Sequence, residues 1–116
     1  MGDAVPADKA QNAIRAYAAG VRQNEILLLF DNTIFRSAKD GILLTADTVY
    51  WRDNGASTTG FARYEDIETL TIKSGIVLRK LVVNGVDVTL NTGDSEVVIY
   101  IEKVLRFLLE RAVGTK

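Results

Sequence analysis

The spacing of apolar and polar positions divides the chain into a helix, a series of short strands and a second helix. Apolar residues recur at helical intervals near the N-terminus, and with Pro6 in the first turn they predict a helix over residues 6–19. Residues 25–91 contain short apolar or alternating segments separated by turn residues, as antiparallel sheets do. The helical period returns over residues 95–112. We therefore predict one α+β domain, mostly antiparallel β, over residues 1–116.

One face of the second helix is apolar along its whole length and is predicted to close the sheet. Its members share helical spacing: Val97, Ile101, Val104, Leu105, Leu108 and Ala112. Three other apolar residues do not fit a one-sided helix. Ile99 lies within the charged face, and Tyr100 and Phe107 widen the apolar stripe on one flank. These three either make a further contact within the chain or form an interface with a subunit or another protein.

The strongest hairpin signal is Asn84-Gly85, which predicts a two-residue turn. This turn sets the register of the strands on either side of it. A second two-residue turn is predicted at Ser74-Gly75. With both turns in place, a single face of these strands points to the core. It consists of Leu70, Ile72, Arg79, Leu81, Val83, Val86, Val88 and Leu90.

The same register leaves three apolar residues, Ile76, Leu78 and Val82, pointing away from the core. Either the first helix covers them or they form an exposed interaction surface. A bulge near Ile67 would shift part of this register.

The first helix has a narrow apolar stripe made mostly of Ala. Such a stripe buries little area but allows close approach to a neighbour. It either packs on the sheet or last helix of its own chain, or docks on another subunit. The apolar run over residues 25–30 fits a buried strand or a buried helical turn, and we favour a first strand.

Composition argues against several classes of function. The chain has no Cys and no His, which removes the thiolate nucleophile, the commonest general base and the commonest transition-metal ligand. We predict no catalytic residues, no metal site and no cofactor. The net charge of −1 argues against nucleic-acid binding. No signal peptide or membrane-length apolar segment is visible, and together with the missing Cys this predicts a cytoplasmic protein.

Two segments resemble those of a known fold family. Residues 39–51 (KDGILLTADTVYW) form a turn, a strand, a small turn and an aromatic strand, and residues 61–67 (FARYEDI) form an aromatic and acidic link between sheets. Both are similar to segments of bacterial pleckstrin-homology-like domains. The resemblance covers residues 25–112. It implies a partly open barrel of about seven antiparallel strands, closed by the C-terminal helix, with the first helix as an addition.

The family resemblance also raises the question of lipid head-group binding. In this chain the corresponding stretch offers Arg36 and Lys39, diluted by acidic residues. Weak binding to anionic lipid is therefore the alternative hypothesis, and a membrane role is disfavoured. The preferred hypothesis is a non-catalytic protein-interaction or self-association module. Its partner, another protein or a second copy, would bind the outward strand residues or the three surplus apolar residues of the last helix.

Overall fold

A computed structural model of the chain describes residues 7–31, 41–53, 58–74, 79–90 and 95–114. Within those residues, seven antiparallel strands form two sheets, and one long helix lies at each end of the sequence. The helices are α1 (Ala7–Tyr17) and α2 (Ser95–Gly114). The strands are β1 (Leu28–Asp31), β2 (Gly41–Leu44), β3 (Thr48–Asp53), β4 (Thr58–Arg63), β5 (Leu70–Ser74), β6 (Arg79–Val83) and β7 (Val86–Leu90).

Each sheet follows the order of the sequence. The first sheet is β1-β2-β3-β4 and the second is β5-β6-β7, and every neighbouring pair is antiparallel. A short 3-10 helix at Tyr64–Asp66 joins them. The two sheets do not close on each other, so the barrel is open. This confirms the predicted α+β architecture of about seven strands with one helix at either end.

The main core lies between the two sheets and is completed by α2. Four residues of α2 are buried in it: Val98, Ile101, Leu105 and Leu108. The predicted helix face is confirmed at its centre, with Val97, Val104 and Ala112 packed against the core while partly exposed. Val98 was not among the predicted residues, yet it is more deeply buried than Val97.

A second, smaller core lies on the outer face of the first sheet, where α1 docks on its own chain. Ala10, Ala13 and Tyr17 of α1 are buried together with Leu43 of β2. The narrow Ala stripe therefore allows the helix to approach the sheet closely. Because α2 and α1 cover opposite faces of this sheet, all four residues of β2 are buried. Of the two arrangements that the sequence left open, packing on its own chain or docking on another subunit, the structure has the first.

The apolar run over residues 25–30 is divided between two elements. A 3-10 helix occupies Gln23–Glu25, and β1 begins only at Leu28. The Leu27 N–H donates a hydrogen bond to the Leu44 carbonyl oxygen at 2.8 Å, one residue before the strand begins. The favoured prediction of a first strand is confirmed, with a later start.

The hairpin at Asn84-Gly85 has the predicted geometry. Both residues have positive φ, 49° and 84°, as a two-residue turn between twisted strands requires. The predicted pairs Leu81 with Val88 and Val83 with Val86 are present. The core face of the second sheet is therefore as predicted.

The predicted two-residue turn at Ser74-Gly75 is wrong. Ser74 still belongs to β5 and pairs with Arg79, so residues 75–78 form the connection. Relative to the predicted pairing, the register is displaced by an even number of residues. Since side chains alternate with a period of two, Leu70 and Ile72 keep their place on the core face.

Asn84 supplies a physical reason for this register. Its side-chain Oδ1 accepts the N–H groups of Glu68, at 2.8 Å, and Thr69, at 3.1 Å. Its Nδ2 donates to the Asp66 carbonyl oxygen at 3.2 Å, and its own N–H donates to the Thr69 carbonyl oxygen at 2.9 Å. The turn residue therefore fixes the beginning of β5 against the end of β6.

Replacing Asn84 should separate its two roles. Asn84→Gly keeps a residue that tolerates positive φ but removes the three side-chain hydrogen bonds, so we expect the free energy of unfolding to fall by about 0.5–2 kcal/mol. Asn84→Asp keeps the acceptor oxygen and loses only the amide donor, so it should cost less. Urea unfolding followed by circular dichroism measures both. Equal stability of wild type and Asn84→Gly would show that the side chain does not hold the register.

Candidate functional site

The exposed side of α2 carries three large apolar side chains. Ile99 is 50% exposed, Tyr100 is 42% exposed and Phe107 is 57% exposed. Because an α-helix advances about 100° per residue, Tyr100 and Phe107 lie within about 20° of each other, two turns apart. Ile99 lies about 80° from Phe107 by the same geometry. The helix therefore presents a two-residue aromatic flank, with Ile99 to one side of it.

An open apolar groove of about 410 Å³ runs beside this aromatic flank. It lies between α2 and the residue that precedes β1. Its lining consists of Leu27, Lys103, Val104, Phe107, Leu108 and Arg111. The backbone hydrogen bond from Leu27 to Leu44 holds one wall against the first sheet. The burial of Leu108 in the core fixes the other wall.

Phe107 stands at this groove with a cation beside it. The guanidinium carbon of Arg111, one turn further along α2, lies 5.9 Å from the centre of the Phe107 ring. A cation at this distance is attracted by the ring face. The groove is therefore an apolar surface with an aromatic side chain, positioned by rigid elements and bordered by a positive charge.

The outward strand residues are separate from this helix flank. Val82 lies opposite Thr71 and Asp87 in the second sheet, and it is partly buried. Its neighbours Leu81 and Val83 face the core that α2 completes, so Val82 points to the opposite face. Beside it, Lys80 and Asp87 form an ion pair at 3.6 Å. Ile76 and Leu78 lie outside the described residues, so Val82 is the described member of that predicted surface.

The residues of the lipid hypothesis, Arg36 and Lys39, also lie outside the described residues. The hypothesis of lipid binding therefore stays a prediction. None of the helices that the structure describes has both the length and the apolar character needed to cross a membrane. Across the same part of the chain, no cluster of three or more acidic side chains is placed to hold a metal ion.

One exposed aromatic residue was missed as a candidate. Phe61 is 66% exposed on the outer face of the first sheet, and its ring centre lies 5.9 Å from that of Tyr50. The sequence did contain a signal, because Tyr50 and Trp51 alternate and cannot both face the core. Trp51 is buried, so Tyr50 and its cross-strand partner Phe61 lie outside.

The fold and this surface define a class of protein: an open pair of antiparallel sheets closed by a helix, with an apolar groove along the helix flank. Comparison of the chain with protein-family models, with curated proteins and with solved structures gives no match.

Proposed function

We propose that this chain is a non-catalytic protein-interaction or self-association module that binds its partner through the aromatic flank and groove of α2. The observation that carries the proposal is the exposure of Phe107 beside the apolar groove. Apolar surface that is contiguous and exposed marks sites of association more often than scattered apolar residues do. Rigid aromatic side chains next to a pocket are also typical anchors of protein interfaces.

The composition supports a binding role over a catalytic one. The sequence has no His and no Cys, so the usual pairs of nucleophile and base are not available to it. The missing Cys also suits a reducing compartment, and we place the protein in the cytoplasm on that ground. The order of strands and the closing helix support membership of the pleckstrin-homology-like fold, which we propose as its class.

Site-specific photo-crosslinking tests the interaction role directly. p-Benzoylphenylalanine replaces Phe107 in one variant and Phe61 in the matched control, and the cells that make the protein are irradiated. We expect a discrete protein adduct at position 107 and a weaker or diffuse one at position 61. Mass spectrometry of the adduct distinguishes a second copy from another protein. If position 107 gives no more adduct than position 61, the proposed function is wrong.

The self-association form of the proposal makes its own prediction. If the partner is a second copy, light scattering gives a mass above that of the monomer, and Phe107→Asp brings the mass down, because a carboxylate would be desolvated in the interface. Phe61→Asp makes the same chemical change at a more exposed Phe and should leave the mass unchanged. A monomer at high concentration would remove self-association and leave binding to another protein.

A further inference from the structure

We infer that the partner of the α2 groove is an acidic amphipathic peptide segment of another protein. Its apolar side chains would lie against Phe107, and its carboxylates would meet Lys103 and Arg111. This inference rests on the proposed function, because it names the chemistry of the partner at the same site. It is carried by the arrangement of charge around the groove.

Two cations flank Phe107 along the helix. Lys103 comes four residues before it and Arg111 four residues after it, so each lies about 40° round the helix from Phe107 and about 6 Å along the axis. Both line the apolar groove. Among the residues that the structure describes, neither forms an ion pair. The groove therefore has a positive rim whose charge is not neutralised by a described side chain.

The nearby acidic side chains do not supply this neutralisation. Glu102 is paired with Arg106 at 3.1 Å. Glu110 lies about 60° from Phe107, on the side away from the buried Leu108. No carboxylate is among the residues that line the groove.

Arg111 also borders a second, polar depression. That depression contains Asp47, Arg63 and Glu65. Its Glu65 carboxylate is already paired with Arg63 at 3.3 Å. The guanidinium carbon of Arg111 lies 5.9 Å from the centre of the Phe107 ring, which borders the groove.

The same charges disfavour a second copy as the occupant. In a two-fold contact of antiparallel α2 helices centred on Phe107, position 103 of one copy lies opposite position 111 of the other, since the two are equally distant from the centre. Lys103 would then face Arg111 twice. Like charges brought together across an interface oppose association.

An anionic membrane is also disfavoured. The exposed side of α2 carries Glu96 and Glu110 beside its cations. A flat anionic bilayer would meet all of these charges at once, whereas a peptide lying in the groove meets the two cations of its rim. The groove has an apolar floor with a cation at each end. It therefore fits a peptide that has an apolar anchor with acidic residues on either side.

Selection from a display library of short random peptides tests the inference without assuming a sequence. The wild-type chain is the target, and Phe107→Asp serves for counter-selection. We expect the recovered peptides to combine aromatic or aliphatic residues with an excess of Asp and Glu. Their affinity should fall with added salt, because exposed charge pairs are screened.

A pair of charge reversals then locates the contact. Lys103→Glu should weaken the selected peptides by about two- to fivefold at low salt, the range expected for an exposed ion pair. Arg106→Glu is the control: it makes the same charge reversal on the same helix, at a residue that does not line the groove. It should leave the affinity for the peptides within about twofold of wild type, because it removes no contact with them. Circular dichroism confirms that both variants are folded.

Other outcomes overturn the inference in distinguishable ways. Phe107-dependent peptides that are neutral or basic would show that the partner is not acidic, while the interaction role would stand. If no Phe107-dependent peptide is recovered, or Phe107-dependent binding is seen only to phosphatidylserine vesicles or to a second copy, the groove has a different occupant. The proposed function is judged separately, by the crosslinking at position 107.

Discussion

Leu105→Ala is expected to lower the free energy of unfolding by about 2–5 kcal/mol, the range for a large-to-small change in a closed core. Leu105 is fully buried and belongs to the cluster between the two sheets. Phe107→Ala, two positions along the same helix, removes more atoms yet should cost no more than about 1 kcal/mol. The difference follows from burial, since Phe107 already has more than half of its surface in water.

Urea unfolding followed by far-ultraviolet circular dichroism measures both variants under one set of conditions. The slope of the transition should be the same in both, so that the midpoints report stability. The two results together separate the stabilising face of α2 from its outer flank. A cost for Phe107→Ala as large as that for Leu105→Ala would place Phe107 in the core, and the interaction proposal would lose its basis.

The sequence predicted the parts of α2 that depend on local periodicity. Its helical spacing identified Ile101, Leu105 and Leu108 as buried, because a helix that closes a sheet must present one apolar stripe. It named Val97 on this face and omitted Val98, which is the more deeply buried of the two. These adjacent residues differ by about 100° around the axis, and their relative burial depends on where the sheets lie at the beginning of the helix.

Turn residues predicted the structure correctly where the turn depends only on its own residues. Asn84-Gly85 specifies a two-residue hairpin through its positive φ angles, and the structure has that turn. The connection between β5 and β6 was misjudged because its register depends on distant contacts. Asn84 holds Glu68 and Thr69 through side-chain hydrogen bonds across 15 or 16 positions of sequence. Local propensity contains no information about such a contact.

The groove at the candidate site also depends on contacts between residues that are distant in sequence. The helical pattern put Tyr100 and Phe107 outside the core stripe but left open whether another part of the chain covers them; in the structure both are exposed. Leu27, which forms the opposite wall, is far from α2 in sequence and becomes its neighbour only when the chain folds. Lys103 and Arg111 likewise share a position only through the groove that both of them line. The partner chemistry that we infer therefore rests on the fold and not on the sequence.

Tyr64→Phe is expected to lower the free energy of unfolding by about 1–3 kcal/mol, the cost of losing a buried hydrogen-bond donor. The Tyr64 hydroxyl is buried and lies 2.7 Å from the Thr45 carbonyl oxygen and 3.1 Å from that of Thr48. It thereby ties the 3-10 helix between the sheets to the turn between β2 and β3. Tyr100→Phe is the matched control on an exposed Tyr and should change stability by less than about 0.5 kcal/mol.

The turn that receives the Tyr64 hydroxyl is itself closed by hydrogen bonds. The Thr45 N–H donates to the Thr48 carbonyl oxygen at 2.9 Å, and the Thr48 hydroxyl donates to Asp47 Oδ1 at 2.9 Å. The Tyr64 N–H donates to the Asp47 carbonyl oxygen at 3.0 Å. Because this backbone contact survives in Tyr64→Phe, we expect a folded variant with lower stability and not a loss of the fold.

The contribution of Tyr64 should also depend on pH. Burial, followed by the charge of Asp47 and the neighbouring Tyr50, raises the pKa of Tyr64 above its usual 10.0. The folded state therefore binds this proton more tightly than the unfolded state does. Its stabilising contribution is fully present below about pH 10 and is lost as the pH rises towards the folded pKa, by up to about 1.4 kcal/mol per pH unit.

Comparison of wild type with Tyr64→Phe isolates this effect, because the two proteins differ only in the Tyr64 hydroxyl. Urea midpoints measured from about pH 8 to about pH 11 should show the wild-type advantage shrinking once the pH passes the unfolded pKa. A difference that stays constant over that range would mean that the hydroxyl ionises as readily in the folded protein as in the unfolded chain. The burial and hydrogen bonds of the Tyr64 hydroxyl would then not favour its protonated form in the folded protein.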